Sequence, residues 1–306
     1  NNKFYLICAY ISTIVFLSCG DKTNEKLESV NPSPKYGGTL HLLLESPATL
    51  DPVYLDDVYE SEVVNQIFEG LLTYDNNMNL RPALADYWEI SPDKMTYTFY
   101  LKQGVRFHNG RELTADDFVK SFTRLLKIDV SMKTWGYILS HLKGLQASNI
   151  RNIKSVEGLQ SIDKYTLRIS LTEPVSLMLY LLATENFYVV PVEEIEKIGE
   201  EEFSKHPVGC GPFKFLAWEK NKQIVLVANE DYYQGRPYVD SLILKTKSYT
   251  PKESYNQFLN KEIDLTNVSK YMHDEFEKKI NKKISRPELS IFGLGFNMKM
   301  FPFNIT

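Results

Sequence analysis

Cysteine is scarce in this chain. Three occur in 306 residues, at Cys8, Cys19 and Cys210. Three thiols cannot build a disulfide framework, so the fold has to rest on its core. Cys8 and Cys19 fall in an apolar N-terminal segment, which leaves Cys210 alone in the rest of the chain. Histidine is also sparse. None of His41, His108, His141, His206 and His273 stands in the paired His or Cys spacing that suits zinc, so no metal and no cofactor is expected. Positive charge is not in excess. A formal net charge of -4 argues against nucleic acid, which asks for a basic face. The run from Glu277 to Lys283 reads as a solvated helix face. No apolar run is long enough to span a bilayer comfortably, and there is neither internal repeat nor low-complexity block. What is present is an ordinary globular share of apolar residues, 43%, enough for a sizeable core.

The first segment reads as an address. Lys3 precedes an apolar run from Phe4 to Leu17, the length of a signal-peptide core. It ends at Ser18-Cys19-Gly20, which resembles a bacterial lipobox, although Phe16 stands where Leu is usual. That resemblance implies cleavage before Cys19 and lipidation of its sulfur, anchoring the chain by buried methylenes. An ordinary secretory signal or a short anchor helix is the alternative, and either still exports the domain. Residues 20–38 are polar, with Pro32, Pro34, Gly37 and Gly38, and read as a flexible tether.

Beyond the tether, Thr39 to Leu44 reads as a buried strand, with a loop to Pro52. Tyr59 to Glu69 has helical spacing at Val63, Val64, Ile67 and Phe68, with Gly70 as the stop. Thr96 to Leu101 alternates. Val105 to His108 is expected to follow as another strand before the Asn109-Gly110 turn. Thr114 with Asp117 resembles a capping box, opening a helix that buries Phe118, Phe122, Leu125 and Leu126. Tyr165 to Leu171 alternates again, followed by a helix over Ser176 to Ala183 and a short strand over Phe187 to Val190. Strands are expected at Phe213–Trp218, Gln223–Ala228 and Leu242–Lys247, then a helix at Lys252–Asn260 and an alternating segment at Leu289–Asn297. Strands and helices alternate with hairpins mixed in, which predicts an α/β fold with mixed sheets.

Three stretches carry a more specific signal. Between Pro82 and Phe118, the residues Ala85, Asp93, Thr96, Tyr97, Phe99, Leu101, Lys102, Gly104, Val105 and Phe107 form one pattern. Gly209 to Asp240 opens on Gly-Cys-Gly-Pro-Phe and holds Asn229-Glu-Asp-Tyr-Tyr233. Phe296 to Phe303 reads FNMKMFPF. Together, with Leu50-Asp51-Pro52, they resemble the bacterial extracellular solute-binding proteins of family 5, which serve oligopeptide, dipeptide and nickel ABC importers. Cys210 replaces the usual Thr or Ser, and Tyr233 the usual Trp.

The resemblance implies a periplasmic-binding-protein-like type II fold, with mixed sheets and flanking helices. It places the first lobe at residues 39–297, with an extra subdomain at about 70–185, and the start of a crossover at 298–306. The second lobe is expected to lie beyond the chain, along with a return segment from the family's C-terminus. The implied function is an extracytoplasmic, membrane-tethered binding component of an ABC transporter for oligopeptides. Its partners would be the peptide and the permease subunits, with no enzymatic activity, and a monomer is expected. The alternatives on the same fold are a nickel chelate or haem ligand, or a surface adhesin or peptide-sensing receptor.

The ligand-facing residues carried over are the loop Glu45, Ser46, Pro47, Ala48 and Thr49, the aromatics Trp135 and Tyr137, and the Gly209-Cys210-Gly211 turn. Phe296 and Asn297 mark the hinge. Glu45 could meet a peptide ammonium or simply be a solvated loop carboxylate, whereas Asp51 and Pro52 are expected to shape the loop. An enzyme reading would pair Cys210 with His206, but a nucleophile needs a base and an orienting group, and the turn around them favours an inert Cys210.

Overall fold

The computed structural model describes residues 35–75, 77–128, 136, 139–145 and 153–267. Cys19, Trp135, Tyr137, Phe296, Asn297 and the expected alternating segment near the end lie outside them.

The first sheet begins with β1 (Thr39–Leu44), whose run of leucines is half-buried to buried. Next in the chain comes helix α1 (Val58–Ile67). Asp57 caps it by accepting from the Tyr59 and Glu60 amides, filling two of the donors that every helix start leaves open. It ends at Phe68, whose amide closes on the Val64 carbonyl, so the helix stops short of the expected Glu69. Val63, Val64 and Ile67 are fully buried beneath the sheet, at the spacing that marks one helix face.

The chain then leaves this sheet and builds a second one. A small antiparallel pair, β2 (Leu72–Tyr74) and β3 (Leu80–Pro82), leads into β4 (Ala85–Ile90) and β5 (Thr96–Leu101). After helix α2 (Ala115–Leu126) come β6 (Leu159–Asp163) and β7 (Thr166–Ser170). The strand order is β4-β5-β7-β6, all antiparallel. Period-two alternation puts Tyr97, Phe99 and Leu101 on the inner face with Leu167 and Ile169, against Phe118, Phe122, Leu125 and Leu126 of α2. Phe122 lies edge-on to both Phe118 and Phe187. Each such ring removed from water contributes roughly 1.5–3 kcal/mol. The capping box at the head of α2 is present: the Asp117 carboxylate accepts from the Thr114 amide at 2.8 Å.

Two expected strands are not strands. Val105 to His108 makes a single bridge, Arg106 to Glu112, and then turns, because the His108 backbone pairs with Gly209 instead of extending a ladder. Phe187 to Val190 follows a 3-10 turn (Glu185–Phe187). Its Val190 amide and carbonyl both bond to the buried Ser121 hydroxyl, so a side chain takes the place of a partner strand. Between these points lies short helix α3 (Met178–Leu182), tighter than the expected span. Two further short helices follow, α4 (Val192–Ile198) and α5 (Glu200–Phe203).

The chain then returns to the first sheet through the hairpin β8 (Phe213–Glu219) and β9 (Gln223–Ala228) and through β10 (Ser241–Thr246). The order is β1-β10-β9-β8. β10 runs parallel to β1, from Thr39 opposite Ser241 to Leu44 opposite Thr246. Helix α6 (Pro251–Leu259) follows, opened by the Thr250–Glu253 capping box. Two apolar clusters result, one under each sheet. Among the described residues no helix is long and apolar enough to cross a membrane.

Candidate functional site

The loop from Glu45 to Asp57 joins the end of β1 to α1. Its backbone amides have no ladder, so each needs an acceptor from elsewhere. The Leu50 amide donates to the Ser204 carbonyl at 3.0 Å, and Leu50 itself is fully buried. The Asp51 amide donates to Thr49 Oγ1 at 3.1 Å. Asp51 is also fully buried and caps the 3-10 turn (Pro52–Tyr54) by accepting from Val53. Arg124 of α2 grips the same carboxylate with two bonds, Nη1 to Oδ1 at 2.9 Å and Nη2 to Oδ2 at 2.6 Å. Asp51 therefore shapes the loop, tying it to the helix of the second sheet.

A second carboxylate holds the loop from beneath. Glu60 of α1 is 2% exposed and accepts from the amides of Ala48 at 3.2 Å and Asp56 at 2.9 Å. Burial pushes its pKa up, with the Asp57 charge adding, while the Ala48, Asp57 and Thr49 amides pull it back. Over these anchors Ser46 and Ala48 are exposed, Glu45 and Thr49 are half-buried and Pro47 is buried. Glu45 Oε2 accepts from Ser248 Oγ at 2.7 Å, so this carboxylate already has a partner on the segment after β10.

Within the loop, Tyr54 donates its hydroxyl to Glu200 and lies 5.7 Å under the Arg124 guanidinium. Its pKa is pushed up to about 12, by burial first and then by Glu200.

The Gly209-Cys210-Gly211 turn is wholly buried. The Gly209 amide donates to His108 Nδ1 at 3.3 Å, and the His108 amide donates to the Gly209 carbonyl at 2.7 Å. The Gly211 amide donates to the Ile67 carbonyl at 2.8 Å. The Gly211 carbonyl accepts from His108 Nε2 and Asn229 Nδ2, each at 3.0 Å. A carbonyl can only accept, so Nε2 carries the imidazole proton and Nδ1 is the acceptor. Burial lowers the His108 pKa to about 4, with the Lys214 charge adding and the Gly211 bond opposing. The two glycine amides are thus spent inward, on His108 and α1, and do not face outward to a ligand. Glycine is required here by space: a Cβ at Gly209 would sit 2.0 Å from the Ile67 carbonyl oxygen, and one at Gly211 2.7 Å from the Ile67 carbonyl carbon.

Burial also raises the Cys210 thiol, which suits an inert side chain. His206 is exposed and pairs with Glu202 at 2.9 Å. The structure does not join the two as nucleophile and base. Among the described residues no group of three or more His, Cys, Asp and Glu could hold a metal ion.

Two clefts flank α1. One, of about 630 Å³, has a leucine floor from β1 and β10 and is walled by Glu62, Asn65 and Gln66; its lining reaches Leu44, next to Glu45. The other, of about 410 Å³, includes Asn65, Glu69, Glu185, Tyr188 and Tyr232. There Glu69 accepts from Tyr232 and, at 2.6 Å, from Tyr233, and burial raises its pKa. Tyr188 donates to Asn65 at 2.6 Å, and Asn65 donates to Glu185 at 3.0 Å. Tyr233 uses its hydroxyl here.

Glu60, Glu69 and Arg124 have no candidate role in the sequence, and His108 enters it only among the histidines weighed for metal and as the end of an expected strand. Glu60 follows the cap Asp57 at the capping-box spacing, and that was the one available signal.

The sequence profile of the bacterial extracellular solute-binding proteins, family 5 Middle, matches residues 79–306. An oligopeptide-binding protein of Bacillus subtilis, AppA, is 29% identical over 300 residues, covering 93% of this chain and 51% of the relative. A haem-binding protein A of Haemophilus influenzae is 28% identical, covering 76% and 45%. The crystal structure of a periplasmic oligopeptide-binding protein from Borrelia burgdorferi superposes with a TM-score of 0.72 at 28% identity, covering 88% of this chain and 55% of that one. The chain spans about half the length of these relatives. Its mixed α/β architecture is that of the periplasmic binding proteins, and the chain belongs to the bacterial extracellular solute-binding proteins of family 5.

Proposed function

We propose that this chain supplies one jaw of an extracytoplasmic clamp that captures oligopeptides for an ABC importer. The observation that carries the reading is the Glu45–Thr49 loop. It exposes Ser46 and Ala48 at the end of β1, while Glu60 and the Asp51–Arg124 pair fix its backbone from below. A loop held this way can present main-chain groups at little ordering cost on binding. An extended peptide is then taken as an added strand is taken at a sheet edge, by main-chain bonds that ignore its sequence. Hydrated side-chain space keeps affinity without selecting one residue. The ligand class is supported by the oligopeptide-binding relatives named above. Closure of a second lobe over the guest is a hinge motion. The role is binding without catalysis, consistent with the inert Cys210. The Ser18-Cys19 lipobox resemblance supports a lipid tether at the membrane face.

The test is a thermal-shift screen of the full-length protein with short peptides, nickel chelates and haem. Stabilisation by peptides is the expected result. Silence towards peptides with a response to haem or nickel chelate would move the ligand class to that group.

A further inference from the structure

We propose that Glu60 is a positioning residue for ligand capture, setting the backbone of the Glu45–Thr49 loop by holding its two arms on the two oxygens of one carboxylate. The inference rests on the reading of that loop as ligand-facing. Glu60 occupies the third helical position of α1, where a glutamate usually reaches back to its own cap. Here, besides the pull of the Asp57 cap amide, Oε1 accepts from the Ala48 amide and Oε2 from the Asp56 amide. These amides stand on the outgoing and returning arms of the loop, with the buried Leu50 and Asp51 between them. Glu60 is itself held from behind, since its own amide donates to Asp57 Oδ1 at 2.9 Å. The helix start is thereby rigidly capped, and its first buried carboxylate serves as a template for chain that lies outside the helix.

Both oxygens have to accept. A glutamine offers one acceptor and turns an NH2 towards the other amide, which leaves a buried donor facing a donor. An aspartate keeps the charge but is one methylene too short to reach both arms.

The experiment compares Glu60→Gln and Glu60→Asp with wild type in the full-length protein. One readout is amide hydrogen exchange resolved at Ala48, Leu50 and Asp56; the other is affinity for an unmodified alanine tripeptide. Exchange at Ala48 or Asp56 is expected to rise about tenfold or more. Leu50, anchored separately to Ser204, and the amides of α2 should keep their rates. Tripeptide affinity should fall by a similar factor. A general loss of fold would instead speed Leu50 and α2 together and would overturn the positioning role. Unchanged exchange at both arms overturns it as well. Direct loop variants, Ser46→Pro and Ala48→Pro, separate the two ideas. If they weaken tripeptide binding while Glu60→Gln does not, the Glu60 inference fails and the loop reading stands. If they leave binding intact, the loop reading itself fails.

Discussion

Arg124 reaches from α2 to Asp51 with both terminal nitrogens, at 2.9 and 2.6 Å, across 73 residues of chain. Asp51 is fully buried and Arg124 is 7% exposed, so neither charge has water to fall back on. The pair locks the loop after β1 to the helix of the second sheet. Removing one partner leaves the other buried, Arg124 keeping only the longer 3.5 Å approach to Glu200: Asp51→Asn or Arg124→Met should destabilise by about 3–5 kcal/mol in urea unfolding. The double variant Asp51→Asn with Arg124→Met should recover part of that loss, because no lone charge is left inside. Single variants within about 0.5 kcal/mol of wild type would contradict the role given to the pair.

His108 makes stability depend on pH in a definite direction. Its folded pKa is lowered to about 4, against 6.5 for the free side chain. Between those values the unfolded chain binds the proton and the folded one does not, so stability rises with pH there. The contribution is full above pH 6.5 and is lost as pH falls towards 4. Wild-type stability minus that of His108→Gln should therefore shrink by roughly 1–3 kcal/mol over that window. Taking the difference removes the opposing effect of Glu60 and Glu69, whose pKa values are raised. A difference that stays flat with pH would remove His108 from the account.

The Gly209 turn makes a steric prediction. Gly209→Ala would press a methyl onto the Ile67 carbonyl at 2.0 Å, and backbone on both sides has to move. The expected cost is about 3 kcal/mol, the upper end for overpacking. Thermal unfolding of the variant measures it, and an unchanged transition would mean the turn has slack.

Cys210 should be silent to iodoacetamide in the native protein and react fully in guanidinium. The thiol is 1% exposed and burial disfavours its thiolate. Fast native alkylation would show the turn to be open.

Much of this fold can be read locally. β5 and β9 bury alternate residues, as their sequences suggest. The Thr114–Asp117 cap opens α2 where that spacing puts it. The failures came where a partner outside the segment decided the matter. His108 leaves a strand-like run because Gly209 lies opposite, about a hundred residues later. Val190 spends its backbone on Ser121, 69 residues away. α4 carries its own local signals, namely Pro191, the acidic first turn Glu193-Glu194 and Gly199 as a stop. At the site, the loop could be located by resemblance, but its supports could not. Arg124 looks like one more polar residue on a helix until Asp51 is folded beneath it. The glycine turn looks like a source of free amides until Ile67 and His108 take them.

The most direct measurement is residue-resolved hydrogen exchange of the full-length protein with and without a saturating oligopeptide. A guest gripped through main-chain bonds at this jaw slows the amides of Glu45, Ser46, Ala48 and Thr49, the exposed Ser46 above all. Peptide binding that leaves these amides unchanged and protects other segments would contradict the clamp as placed here.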